Sequence, residues 1–250
     1  MLLYRNIVAS IDKVFFVWQI VFPIIYIFIA GYSYSALITN QGIPIGETSV
    51  PYPAYLAAGM IGFNMMNSST VAGSIIWNDK RNGMFLQILV MPFARIEYII
   101  GNILTIMMMG LASAGLILVA GTPTLVGSVQ PTLIGSLYVI YALITGAIFF
   151  GSIAIIISTR LKSSEGFNVI VNSVFLFFSF VSTAFYPTQG VPIALSTAFY
   201  ANPLTYIVDI TRAGIFNQIS AFTNIEIGVI AAVSAVTFFI ATLSMLKMKI

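Results

Sequence analysis

The chain has 250 residues, of which 59% are hydrophobic and 7% charged, with a formal net charge of +3 and a mean hydropathy of +1.03. A soluble domain carries about 25% charged residues, so this chain cannot keep a water-facing surface polar and is an integral membrane protein. It holds neither cysteine nor histidine, which excludes disulfides, thiolate metal sites, zinc-protease motifs, imidazole proton relays and Ser-His catalysis in their usual forms.

In chain order, MLLYRNIVASIDK (residues 1–13) puts Leu3, Ile7 and Ile11 on one face, with Arg5, Asp12 and Lys13 away from it. That pattern predicts a short helix lying in the membrane interface. Val14 to Gly46 is free of charge and too long for a signal-peptide core, so it reads as a retained first helix. Thr48 to Asn78 is also uncharged, and Tyr98 to Thr159 is divided by the turn-rich GTPTLVGSVQP, residues 121–131. Gly166 to Val208 exceeds one crossing, and Ile227 to Leu246 just suffices. At about 20 apolar residues per crossing, an all-α protein with six transmembrane helices is expected, over 14–38, 54–77, 98–120, 132–158, 166–186 and 227–246.

The Lys/Arg bias of short loops sets orientation. With the N-terminus in the cytoplasm, Arg5, Lys13, Lys80, Arg81, Arg95, Arg160, Lys162, Lys247 and Lys249 fall inside and only Arg212 outside, so both termini are expected to be cytoplasmic. The positive charge reflects this bias and not a nucleic-acid partner. Within these boundaries no span carries an acidic or basic residue, whereas ion-coupled transporters usually place one there. No glycine precedes a lysine, so the phosphate-cradling loop of an ATPase is missing.

Charge gathers instead around WNDKRNGMFLQILVMPFARIEYIIG, residues 77–101. Gly83 breaks the preceding helix, Met84 to Met91 has length for about two turns, and Pro92 stops them. Phe85, Leu86, Ile88, Leu89 and Val90 make that element apolar. It has two natural uses: lying in the lipid interface, or inserting into a groove of a cytoplasmic partner. Near the other end, FYPTQGVPIALSTAFYANPLTYIVDITRAGIF (185–216) offers Asn202 as a helix N-cap, Pro203 at the first helical position, and Asp209 and Arg212 one turn apart. It is apolar enough to dip into the outer leaflet, either as a lid or as a substrate contact.

The run D-K-R-x-G-x-x-x-x-x-L-V-x-P-x-x-R resembles the ABC-2 type permeases, membrane subunits of many ABC exporters. The later block, with Tyr186, Pro187, Pro192, Asn202 to Tyr206, Asp209 and Arg212, resembles the same family's segment between its fifth and sixth spans. The resemblance covers nearly all of residues 1–250 as a single transmembrane domain, with an interfacial helix at 1–13, a coupling loop at 78–97 and an outer re-entrant segment at 187–225. It implies that the first loop is a coupling helix docked on a separate ATPase subunit. Asp79, Lys80, Arg81 and Gly83 would shape its start, Phe85, Leu86 and Leu89 make the contact, and Pro92 and Arg95 close it. Many members have a glutamate where this chain has Leu86, which replaces a polar contact by an apolar one. Asn202, Pro203, Tyr206, Asp209 and Arg212 would form an outer re-entrant gate.

Asn64, Asn67, Ser74 and Asn78 share one stripe of the second span, and Asn168, Asn172, Ser179 and Ser182 one stripe of the fifth. Polar residues within spans either bond between helices or face a path. Asn64, Asn67, Ser74, Asn168, Asn172, Ser179 and Ser182 are the translocation-path candidates, since the resemblance implies that the second and fifth helices of two dimerised copies line the route. The expected function is thus the permease subunit of a plasma-membrane exporter of hydrophobic or amphipathic compounds, with no catalytic residue, metal or cofactor of its own. ATP and magnesium belong to the partner ATPase, and the other partners are a second permease copy, identical or homologous, and membrane lipid. The alternatives are a secondary transporter or channel, then a membrane-embedded enzyme or a structural component.

Overall fold

The computed structural model describes residues 5–6, 13–35, 42–46, 48–84, 95–125, 129, 132–161, 163–188 and 190–247. The first helix, α1 (Lys13–Tyr26), contains Pro23 and runs through a π turn at Ile27–Gly31 into α2 (Tyr32–Ser35). The proline removes one rung of the hydrogen-bond ladder, and a widened turn follows within a few residues. A two-stranded antiparallel hairpin, β1 (Ile43–Ile45) and β2 (Thr48–Val50), comes next, with Ile43 opposite Val50. It adds a small β element to an otherwise helical chain, and Gly46, at φ +58°, supplies the left-handed residue of its turn.

Where one span was expected at 54–77, two helices meet at Ser69: α3 (Tyr52–Ser68) and α4 (Thr70–Arg81). Three consecutive hydroxyls cause the interruption. Ser68, Ser69 and Thr70 donate to the carbonyls of Asn64, Met65 and Asn67, at 2.8, 2.9 and 2.9 Å, in competition with the helical ladder. Beyond them lie α5 (Arg95–Ala120), the single turn α6 (Thr122–Leu125) and α7 (Leu133–Arg160). The chain continues through α8 (Ser164–Phe180), α9 (Ile193–Tyr200), α10 (Pro203–Phe216) and α11 (Ala221–Leu246).

Among the described residues four helical stretches, Val14–Ser35, Arg95–Ala120, Leu133–Arg160 and Ala221–Leu246, are long and apolar enough to cross a membrane. The sixth expected span begins at Ala221, not at 227, because Ser220 and Thr223 form a reciprocal capping box at its start. Glu226, one residue before the expected span, therefore lies inside this long apolar helix. The expected fifth span ends early, at Phe180, where the backbone becomes irregular.

The core lies between α3 and α7. All of α3 except Phe63 and Asn67 is buried, and α7 packs against α11, α10, α4, α5 and α3. By contrast, α1 and α8 sit at the periphery and expose Trp18, Val17, Leu176 and Phe177. Helices α7 and α10 cross closely through two glycines. A Cβ on Gly214 would lie 2.5 Å from the Gly135 carbonyl oxygen, and one on Gly135 would lie 2.2 Å from that of Gly214. We expect Gly214→Ala to cost about 1–3 kcal/mol, the usual range for overpacking. Thermal unfolding in detergent would report this, with Gly228→Ala, where a Cβ meets open space, as the variant expected to leave stability unchanged.

Candidate functional site

Charged and polar side chains gather at two places, roughly 35 Å apart along α3 and α4 at 1.5 Å per residue. At the end carrying most of the Lys and Arg, Asp79 turns inward and is 5% exposed. Its Oδ2 accepts from Arg5 Nη2 at 2.9 Å and from the Tyr98 hydroxyl at 2.7 Å. Arg5 also donates to Asn6 Oδ1, and Asn6 Nδ2 donates to Asn102 Oδ1 at 2.8 Å, both asparagines being fully buried. This chain of bonds ties residues 5–6 to the end of α4 and the start of α5.

The neighbouring cations brace other helix ends. Lys80 Nζ donates to the Ser158 carbonyl at 3.1 Å and lies 4.7 Å from the Trp77 ring centroid, and its burial lowers the ammonium pKa. Arg95 Nη1 donates to the carbonyls of Met245 and Leu246, at 3.1 and 2.8 Å, and so caps the last turn of α11. Arg81 is exposed, and Gly83, at φ +69°, has open space around it. Of the expected docking residues, Phe85, Leu86, Leu89 and Pro92 lie outside the described residues. Arg5, Asn6, Tyr98 and Asn102 carry no motif that marks them as members of this cluster.

At the other end, residues 181–188 form irregular backbone beside α3 and α10. Arg212, 3% exposed, donates from Nη2 to the Thr183 and Ala184 carbonyls at 2.7 and 3.2 Å, and from Nη1 to Asp209 Oδ1 at 3.1 Å. The guanidinium carbon lies 3.6 Å from the Tyr55 ring centroid. Tyr55 itself donates to the Thr183 and Tyr186 carbonyls, and Tyr52 to that of Phe185, each at 3.0 Å. Asn202 caps α10 by accepting from the Leu204 N–H at 2.9 Å, while its Nδ2 donates to the Phe178 and Val181 carbonyls. Pro203 takes the first helical position, and Tyr206 donates to the Tyr200 carbonyl. The Thr183, Ala184 and Phe185 carbonyls belong to buried residues of irregular backbone, and these side chains supply the partners that such carbonyls need within an apolar protein.

Within one chain the path candidates stand in different surroundings. Asn64 is buried against the core, with its Nδ2 unpartnered among the described residues. Asn67 is half-buried, and Ser74 bonds back to the Thr70 carbonyl. Ser179 and Ser182 are buried and bond to the carbonyls of Phe175 and Ser179, whereas Asn168 and Asn172 are exposed on α8. A cavity of about 520 Å³ between α5, α7 and α11 is almost entirely apolar, and another of about 230 Å³ adjoins Asp209 and Arg212. None of the seven candidates lines either one.

Arg212→Ala would leave the Asp209 carboxylate without its cation and the Ala184 carbonyl without its donor, an expected loss of about 3–5 kcal/mol by analogy with other broken buried pairs. Thermal unfolding should show the double change Arg212→Met, Asp209→Asn to be milder than Arg212→Ala, because no uncompensated charge remains.

No curated relative matches the sequence. A family model described as ABC-2 type transporter matches residues 1–216. That match covers both charged clusters and the helices that carry them, and the chain belongs to the ABC-2 type transporter family, the membrane permease components of ABC transporters.

Proposed function

We propose that this permease is the membrane subunit of an ATP-driven exporter of hydrophobic or amphipathic compounds, working as a dimer with a separate ATPase. In this reading six helices cross the membrane, the end holding Arg5, Lys80 and Arg95 is cytoplasmic, and residues 187–225 form an outer re-entrant segment whose gate is Asn202, Pro203, Tyr206, Asp209 and Arg212. The observation that carries it is the bonding of the residues flanking 85–94. Asp79 holds Arg5, Lys80 holds the end of α7, and Arg95 holds the end of α11. A force applied to the segment between them is passed to Arg5 and to helices α4, α5, α7 and α11. Coupling between a nucleotide-driven partner and the membrane helices needs such a connection, because rigid elements packed together transmit displacement.

The dimer would form through α8. Asn168 and Asn172 are exposed on a largely apolar helix that packs only lightly on the rest of the chain. In hydrocarbon, asparagine side chains find hydrogen-bond partners across a helix interface or face water in a path. A second copy supplies both settings, with the cargo route running between the two chains.

Two measurements test this. Co-expression with the neighbouring ATPase and purification through the permease should yield ATP hydrolysis that Phe85→Arg with Leu89→Arg abolishes. Retained co-purification would move the docking site, and no hydrolysing partner at all would favour a channel or secondary transporter. Because the chain has no cysteine, Asn172→Cys should cross-link copies in oxidised membranes, whereas Phe239→Cys, exposed on α11, should not. Monomers alone from Asn172→Cys would remove α8 from the interface.

A further inference from the structure

The cavity of about 230 Å³ beside Arg212 is bounded by the hairpin, the irregular segment, α9, α10 and the first turns of α11. Its charged lining is Asp209, Arg212 and Glu226. The Arg212 guanidinium is already committed to Asp209, the carbonyls of the irregular segment and the Tyr55 ring. Glu226 is a second acid with no second base. It is 2% exposed, and its Oε1 has no hydrogen-bond partner among the described residues. A carboxylate in such a place is costly unless a positive charge or a proton neutralises it.

The size and walls of the cavity distinguish between cations. Its volume is several times the roughly 30 Å³ that a water occupies in the liquid. The rings of Tyr200 and Phe222 stand edge to face at one wall, with centroids 6.2 Å apart. Among the described residues no three Asp or Glu side chains are placed together to hold a metal ion, and a hard divalent cation needs six or more oxygen ligands. A carboxylate beside aromatic faces is instead the setting in which organic ammonium groups bind.

We propose that this cavity binds an organic ammonium group, with Glu226 as its counter-ion and Tyr200 and Phe222 as its aromatic wall. The site does not depend on the exporter reading, since only the chain's own residues form it. Two sources offer such a group: the headgroup of an aminated lipid, and a free amine.

The test is thermal unfolding of the purified full chain, first in nanodiscs of phosphatidylglycerol. Ethanolamine and choline should each raise Tm saturably, by about 3–5 °C at ten times the half-saturating concentration. Ethylene glycol, the neutral analogue, and sodium chloride at matched ionic strength should not. Glu226→Gln should abolish the rise, and Glu97→Gln, an exposed acid at the opposite end, should preserve it. Should Glu226→Gln fail to fold, Phe222→Leu provides the second variant, with half-saturation expected several-fold higher. Repeating the titration in phosphatidylethanolamine nanodiscs separates the sources. Loss of the ethanolamine response there assigns the site to the lipid headgroup, and an unchanged response assigns it to a free amine. The proposal is overturned if neither ammonium shifts Tm in phosphatidylglycerol, if sodium acts equally, or if Glu226→Gln leaves the rise intact. In those cases Glu226 holds a proton or an inorganic ion.

Discussion

Arg212 occupies the point at which a non-helical stretch of backbone enters an almost wholly apolar protein. Inside a membrane a free carbonyl has no water to turn to, so irregular backbone persists only where side chains satisfy it. Here Arg212, Tyr55, Tyr52 and Asn202 between them accept that task for residues 178–186. The absence of a side chain at Gly59 makes it possible. A Cβ there would sit 2.1 Å from the Ala184 oxygen and 2.8 Å from the Arg212 guanidinium. Helix α3 can therefore press directly on the irregular segment, and α10 is anchored to both through one cation. The early end of α8 at Phe180 and the cavity behind Arg212 both follow from this arrangement.

The opposite end solves a different problem with the same currency of carbonyls and charges. Asp79, Lys80 and Arg95 flank the 85–94 segment, yet each is bonded to another part of the chain. Through these bonds the three side chains brace the helix ends on either side of it. The buried pair of Asp79 with Arg5 is specific because Tyr98 supplies a second donor to the same oxygen and the Asn6–Asn102 bond sits directly beside it. A buried carboxylate with two donors has far less freedom to choose another partner than an exposed one. Arg5 and Asn6 are thereby held against the end of α4 and the start of α5.

The polar residues of the helices fall into two physical classes. Serine and threonine largely satisfy themselves: Ser68, Ser69, Thr70, Ser74, Ser179 and Ser182 all bond to carbonyls within four residues. Such bonds need no neighbour, so these residues say little about a path or an interface. Asparagine carries two N–H donors and a carbonyl acceptor, more than one bond back along its own helix can satisfy, and so calls for an outside partner. Asn6 and Asn102 find one in each other, while Asn168 and Asn172 stand exposed on α8.

Much of this molecule could be read from its sequence. Membrane residence, the positions of the long helices, the N-cap at Asn202 with Pro203 behind it, and the pairing of Asp209 with Arg212 are local properties. They depend on composition, on periods of 3.6 residues and on neighbours one turn apart, all of which the chain carries within short windows. The family emerges from two such windows in the right order. What tertiary structure alone decided involves residues far apart in sequence. Arg5 meets Asp79, Arg95 caps the end of α11, and Arg212 reaches carbonyls nearly thirty positions away. Glu226 escaped notice because a capping box at Ser220 starts its helix earlier than hydropathy indicates. A span boundary drawn from composition marks where charge stops, whereas a helix begins where its backbone N–H groups find a cap.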